Sequence, residues 1–188
     1  EGLSFSDTLK LMADRVGLSL PAVKNNPSHN DLYRVNQAAA KFYQDILKSQ
    51  RGLAARSYVR QRGLDDDTVR AFQIGLSPGT GNDLLRHLES LGYTTNQICD
   101  AGLAVARENL PLRDMFVSRL MFPIHNSQGD LVGFGGRSLD GSEPKYLNTP
   151  RTEIFDKRNI LYAFNKAKRN IREHDEGVVV EGYMDAIA

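Results

Sequence analysis

The sequence predicts an α+β fold: a mainly helical amino-terminal part with a small antiparallel β element, followed by the opening strand of an α/β unit. Three observations predict it. Apolar residues recur at helical spacing from Leu32 to about residue 101. Two β-type runs, Arg119–His125 and Leu131–Arg137, flank Asn126-Ser-Gln-Gly-Asp130, a loop of the composition that closes hairpins. Val178-Val179-Val180 is a continuous apolar run of the kind buried on both faces of a parallel sheet, and it leads at once into Glu181-Gly182-Tyr183-Met184-Asp185.

Taken in order, Leu9, Met12, Ala13 and Val16 predict a helix over 6–16, with Ser6 or Asp7 as N-cap and Gly17 as the stop. The stretch from Leu18 to Asn30, with Pro21, Pro27 and its asparagines, reads as a linker with a domain boundary near 21–30. Leu32, Val35, Ala39, Phe42 and Ile46 line one face of a longer helix capped by Asp31, and a second helix spans 54–61. Asp65-Asp66-Asp67 stands where the positive end of a helix dipole favours negative charge. Three consecutive carboxylates on a helix start point in different directions, so capping explains them better than a metal site. Helices follow over 82–91 and 95–101, ended by Gly92 and Gly102. After Pro111 the pattern turns to β, and Pro123 marks an edge strand or a bulge in the first run. Residues 159–172 return to helix, with Ile160, Leu161, Phe164, Ala167 and Ile171 on one side.

The chain has 188 residues, 40% apolar and 25% charged, with a formal net charge of +1. That composition is ordinary for a globular protein and excludes collagen-like, disordered and disulfide-scaffold classes. A single cysteine, Cys99, excludes an internal disulfide and any zinc site needing several thiolates. No apolar run approaches the roughly 20 residues of a membrane span. The start, Glu1-Gly2-Leu3-Ser4, has neither initiator Met nor signal peptide, and suggests a piece excised from a longer protein. The near-neutral total hides a segregated pair: residues 157–172 carry 6 basic and no acidic side chains, and 173–188 carry 5 acidic and no basic ones. A basic segment directly before an acidic one is the polarity expected where phosphates and metal meet.

Two constellations carry chemistry. Glu181 follows the predicted buried strand, where open α/β sheets place ligands, and Asp185 lies about one helical turn on. Both carboxylates can face one crevice, and Gly182 between them clears space for a ligand. Such hard oxygen donors suit Mg²⁺ held partly by substrate phosphates. By spacing alone, a strand-end acid and a helix-capping acid are the commoner explanation. The second constellation is Gly133-Phe-Gly-Gly-Arg137 with Pro144-Lys-Tyr-Leu-Asn148. Three glycines in four strand positions cost stability, which points to a close approach by another chain segment or a ligand, or to a bulged hairpin. Arg137 and Lys145 suit phosphates, Tyr146 offers a stacking face, and Asn148 a base or ribose hydrogen bond. No GxxxxGK[ST] occurs, and no G-x-G-x-x-G opens a helix. His29, His87, His125 and His174 lack ligand spacing, and Cys99 reads as a small core hydrophobe.

Together, RLMFPIHNSQGDLVGFGGRSLDGSEPKYLNTPRTEIFDKRNILYAF and VVVEGYMDAIA closely resemble DnaG-type bacterial DNA primase, as does YVRQRGLDDDTVRAFQIGLSP. The resemblance divides the chain into the tail helix of a zinc-binding domain (1–20), a linker (21–31), the amino-terminal subdomain of the RNA polymerase core (32–172) and the start of a Toprim subdomain (173–188). It implies that Glu181 is the Toprim glutamate, a general base or metal-site carboxylate, and that Asp185 completes the EGYMD motif. It implies that Arg137, Lys145, Tyr146 and Asn148 belong to the basic ridge and nucleotide-contacting segment, and that Arg62 and Arg119 line the same template groove.

The implied reaction is RNA primer synthesis on single-stranded DNA from NTPs, with Mg²⁺ or Mn²⁺ in the site and Zn²⁺ only in a zinc-binding domain whose ligands this chain lacks. The implied partners are template, NTPs, RNA primer and, through a carboxyl-terminal domain, the replicative helicase, in the bacterial cytoplasm and away from membranes. The family's D-x-D carboxylates do not occur here, so the chain is expected to hold half a metal site and to be inactive alone. Toprim folds also serve topoisomerases and certain nucleases, which makes another Toprim enzyme the second alternative, and a non-catalytic single-stranded DNA-binding module is the third.

Overall fold

The computed structural model describes residues 27–107 and 110–187. The helix expected over 6–16 and most of the expected linker lie outside them. Among the described residues the fold is α+β, with helices packed on both faces of a four-stranded antiparallel sheet and a separate two-stranded ribbon.

Helix α1 (Pro27–Lys48) starts earlier than the sequence indicates. Pro27 takes the first helical position, where its missing N–H costs nothing, and Asp31 lies inside the helix rather than capping it. Residues 27–31 are therefore helix, not linker. Helix α2 (Leu53–Gln61) follows a short 3₁₀ turn (Gln50–Gly52), and α3 (Asp66–Ala71) is capped by Asp65, whose carboxylate accepts the Thr68 N–H at 2.7 Å. Strand β1 (Gly75–Leu76) is too short to have shown a period. Helices α4 (Asp83–Ser90) and α5 (Thr95–Asp100) match the expectation, and Gly92 and Gly102 end them at φ of 88° and 69°. Thr94 and Gln97 close a reciprocal capping box on α5.

The β region begins before Pro111, as the ribbon β2 (Ala104–Arg107) and β3 (Leu110–Asp114). The expected hairpin is β4 (Arg119–His125) and β5 (Leu131–Ser138), with β6 (Tyr146–Asn148) beside it, in the sheet order β1-β4-β5-β6. Of the two readings made of Pro123 the edge strand fails, because β4 lies between β1 and β5, and the irregularity falls one residue on, at Ile124/His125. Strand β1 pairs only with Leu120 and Met121, so Pro123 itself has a strand neighbour on one side.

Residues alternate across β4 and β5, giving the sheet two apolar faces. Met121 and Phe134 pack with Val35, Ala39, Tyr43, Leu84, Leu88 and Phe116 on one side, where Cys99 is a partly buried neighbour. Leu120 and Phe122 pack with Leu47, Val59, Ile74 and Ile187 on the other. Helix α1 serves both, with Tyr43 in the first cluster and Leu47 in the second.

Two expectations fail in the last part of the chain. The helix expected from residue 159 begins at Phe164 as α6 (Phe164–His174), because Ala163 sits in the left-handed region at φ 60° and breaks the run after a 3₁₀ turn at Lys157–Asn159. Val178–Val180 forms no strand, and Val178 and Val179 are 84% and 82% exposed. A doubly buried strand needs a neighbour on each side, and no described strand pairs with this run. Helix α7 (Tyr183–Ile187) follows. No described helix is long and apolar enough to cross a membrane.

Candidate functional site

The β4–β5–β6 register determines what the second constellation becomes. Arg137 pairs with Tyr146 and Gly135 with Asn148, so these four residues share one sheet face. The Arg137 guanidinium donates to the Tyr146 hydroxyl at 2.5 Å, lies 5.3 Å from that ring's centroid, and lies 5.4 Å from the Tyr58 ring. Tyr58 of α2 stands one helical turn before Arg62, the residue that caps that helix's C-terminus, and the Arg62 guanidinium is 5.4 Å from the same ring. Arg62, Tyr58, Arg137 and Tyr146 thus form a column of alternating cations and rings. Cation–π contact orients both arginines without consuming their charge. None of Arg62, Arg137 and Lys145 is ion-paired with a carboxylate among the described residues. Arg62 and Lys145 are exposed, Arg137 half-buried, and the column therefore offers positive charge beside stacking faces, the pairing that single-stranded nucleic acid requires.

Arg119 is different. It is 5% exposed, and its guanidinium donates to the carbonyls of Pro144 at 2.8 Å and Gly136 at 3.3 Å. Burial pulls its pKa down, against the opposing pull of Asp140 and Glu143. The structure turns this side chain inward, where it ties β4 to the 139–145 loop.

The glycines of Gly133-Phe-Gly-Gly-Arg137 are explained by other parts of the chain. A Cβ at Gly136 would lie 2.9 Å from the Phe116 ring and 3.0 Å from the Arg119 Cδ, and one at Gly133 3.1 Å from Thr149. At Gly135 it would lie 2.5 Å from the ring of Tyr183, the central residue of the EGYMD motif. The Tyr183 ring stacks on Phe122 at 5.2 Å with 7° between planes, meets Tyr162 edge-on at 4.7 Å, and its hydroxyl donates to Asn148 Oδ1 at 2.5 Å. Burial first, and Tyr146 second, push its phenol up to about 12.

This seat brings the two constellations to one cleft. Tyr146, Asn148, Lys157, Glu181 and Asp185 all line a cavity of about 690 Å³, whose other wall is the apolar side of Leu161, Phe164, Ile171 and Val178–Val180. Glu181 and Asp185 are exposed within it. A Cβ at Gly182 would come within 2.9 Å of Asp185 Oδ2, so that glycine leaves room at the carboxylate. Among the described residues no group of three or more His, Cys, Asp or Glu could hold a metal. Two carboxylates fit a Mg²⁺ ion whose remaining ligands are water and substrate phosphate, and do not fit an all-protein cage. Sequence reasoning missed Tyr58 and Lys157. The four-residue step from Tyr58 to Arg62 and the basic run from Lys157 were the available signals.

Residues 42–168 match the family described as DNA primase catalytic core, N-terminal domain. The whole chain aligns with the DNA primase of Deinococcus radiodurans at 43% identity over 189 residues, and spans 32% of that protein's length. Among solved structures, a DnaG primase catalytic domain bound to single-stranded DNA superposes with a TM-score of 0.78 at 35% identity, covering 87% of this chain and 53% of that one. The Aquifex aeolicus primase, comprising zinc-binding and RNA polymerase domains, covers 98% of this chain and 45% of its own at a TM-score of 0.76 and 27% identity. With the family matched over most of its length and its two motifs meeting in one cleft, the chain belongs to the DNA primase catalytic core family.

Proposed function

We propose that this chain grips template and nucleotide in a DNA primase that makes short RNA primers on single-stranded DNA, and that it contributes the first carboxylates of that enzyme's metal site. The single observation that carries this reading is the contiguity of the cation–ring column with the Glu181/Asp185 cleft through Tyr146 and Asn148. A phosphate-gripping surface and a pair of hard oxygen donors sharing one wall are the two things that phosphoryl transfer asks of a protein.

In this reading Arg62, Arg137 and Lys145 hold backbone phosphates, Tyr58 holds the two arginines close to its ring, and Tyr146 stacks on a base. Asn148 presents its amide N–H₂ to the incoming nucleotide, because its oxygen is taken by Tyr183. Glu181, with Asp185 beside it, would hold Mg²⁺ or Mn²⁺. When bound, the cation stabilises charge on the attacking 3′-hydroxyl oxygen and on the leaving oxygens. Zinc belongs to a separate zinc-binding domain, since one cysteine cannot build its site. We assign residues 1–20 to the tail of that domain, 21–26 to the linker region, 27–172 to the amino-terminal subdomain of the polymerase core, since its first helix starts at Pro27, and 173–188 to the start of Toprim. RNA primer and replicative helicase are partners of the whole enzyme, and the 188-residue chain alone is expected to be inactive.

The test is Glu181→Gln in the full-length enzyme. We expect priming to be abolished and single-stranded DNA affinity to stay within about twofold, since an exposed carboxylate in the cleft contributes nothing to phosphate grip. Retained priming refutes the assignment.

A further inference from the structure

We infer that Tyr183 is a positioning residue, a latch that holds the Glu181–Asp185 turn against the nucleotide-binding strands through Gly135 and Asn148; this rests on the function proposed above. Three contacts carry it. The Tyr183 ring lies flat on Phe122 of β4, and it fills the space over Gly135 that any other residue's Cβ would occupy. Its hydroxyl donates to Asn148 of β6 at 2.5 Å. One side chain thus touches three adjacent strands, between two of the residues that face the cleft.

Besides Tyr183, the segment is fastened by Ile187, buried in the core with Leu120 and Phe122, and by Met184 packed against that core. Val178–Val180 forms no strand, and helix α7 has five residues, of which Ile187 is the one buried. A helix of that length has almost no stability of its own. The position of the two carboxylates relative to β6 therefore depends on Tyr183 more than on the backbone around it. The latch also works outward. With Oδ1 of Asn148 occupied, the side chain faces the cleft with donors, so it selects acceptor atoms on a nucleotide: a ribose oxygen, a ring nitrogen or a base carbonyl. Releasing Tyr183 would loosen the carboxylates and abolish that selectivity together.

The experiment is a double-mutant cycle in the full-length enzyme with Tyr183→Phe and Asn148→Ala, beside hydrogen–deuterium exchange of the 183–187 amides without metal. Tyr183→Phe keeps the ring on Phe122 and over Gly135 and removes only the hydroxyl. We expect it to lower kcat about five- to tenfold, the worth of one buried hydrogen bond, with single-stranded DNA affinity within about twofold. Asn148→Ala also removes the donor to the nucleotide and should cost more, but Tyr183→Phe added to Asn148→Ala should cost little further, because the hydroxyl has already lost its partner; exchange at 183–187 should quicken in Tyr183→Phe and more so in Gly135→Ala. Additive losses, or unchanged exchange in Tyr183→Phe, overturn the latch. A general loss of packing would instead lower DNA affinity and Tm in step with kcat, which also counts against it. Glu181→Gln separates the two levels: if it still primes, the metal assignment falls, whereas if it is dead while the cycle is additive, only the latch does.

Discussion

Replacing Arg119 by Ala should damage the fold and spare DNA binding, the reverse of what a template-groove arginine would show. The guanidinium satisfies the Pro144 and Gly136 carbonyls, and its stem packs over Gly136, where a Cβ would come within 3.0 Å of it. Truncation strips two carbonyls of a charged donor and opens a void between β4 and the 139–145 loop. Hydrogen bonds to charged groups contribute about 1.5–3 kcal/mol, and an unpaired buried acceptor costs about 1–3 kcal/mol. With partial access of water to the loop carbonyl, we take about 3 kcal/mol as the loss, or a Tm drop of about 6–12 °C for a domain of this size. The assay has two arms, thermal unfolding and the salt dependence of single-stranded DNA affinity. Each phosphate contact adds about 0.7 to the slope of log K against log salt for single strands. Arg119→Ala should leave that slope unchanged, and Arg137→Ala should reduce it by about 0.7 with a smaller effect on Tm. A normal Tm with a reduced slope in Arg119→Ala would refute the inward assignment and return this residue to the groove.

Three further outcomes follow from local geometry. Burial, with Lys166 as the second cause and Asp130 opposing, depresses the His125 pKa below 6.5. The unfolded chain therefore takes up this proton first as pH falls, so the contribution is complete above pH 6.5 and is lost through the window below it; His125→Gln should flatten the Tm–pH curve there. Thr94→Ala breaks the capping box of α5 and should cost about 1 kcal/mol, or about 2–4 °C in Tm, whereas Thr94→Ser should be near neutral. Asp114 is 2% exposed and accepts the Leu84 and Leu85 N–H groups at 3.1 and 2.9 Å, completing the first turn of α4. Asp114→Ala orphans both and should lower stability by about 2–4 kcal/mol by chemical denaturation, partly offset because burial raises the pKa of this carboxyl and so disfavours its charge.

What the sequence disclosed was whatever local rules control. Helices α4 and α5 carry their glycine stops in the chain itself, α5 also its Thr94/Gln97 capping box, and the β4–β5 hairpin carries its turn. The pairing of Arg137 with Tyr146 then follows from register. Val178–Val180 misled because a continuous apolar run says that burial is wanted without saying what supplies it. Residues 160–171 had the right period, and the positive φ of Ala163 interrupted it without any glycine to signal the break. Arg119 and Arg137 look alike as letters, and only the tertiary fold turns one inward. The approach of Tyr58 to Arg137 and of Tyr183 to Gly135 joins residues far apart in the chain, for which no spacing rule exists. The glycines did announce that something came close, and the structure shows that it was the other motif.

The ring cluster at the cleft also gives the protein an optical property. The chain has no tryptophan and seven tyrosines, so its near-ultraviolet emission is tyrosine emission. Four of the seven, Tyr58, Tyr146, Tyr162 and Tyr183, stand around the site, with two mutual ring pairs and three arginine contacts within 6.2 Å. A base stacking on Tyr146, or a displacement of the Tyr183 hydroxyl, would change that emission directly. The proposed template and nucleotide contacts would therefore be visible in unlabelled form, as a change of intrinsic fluorescence followed by stopped flow.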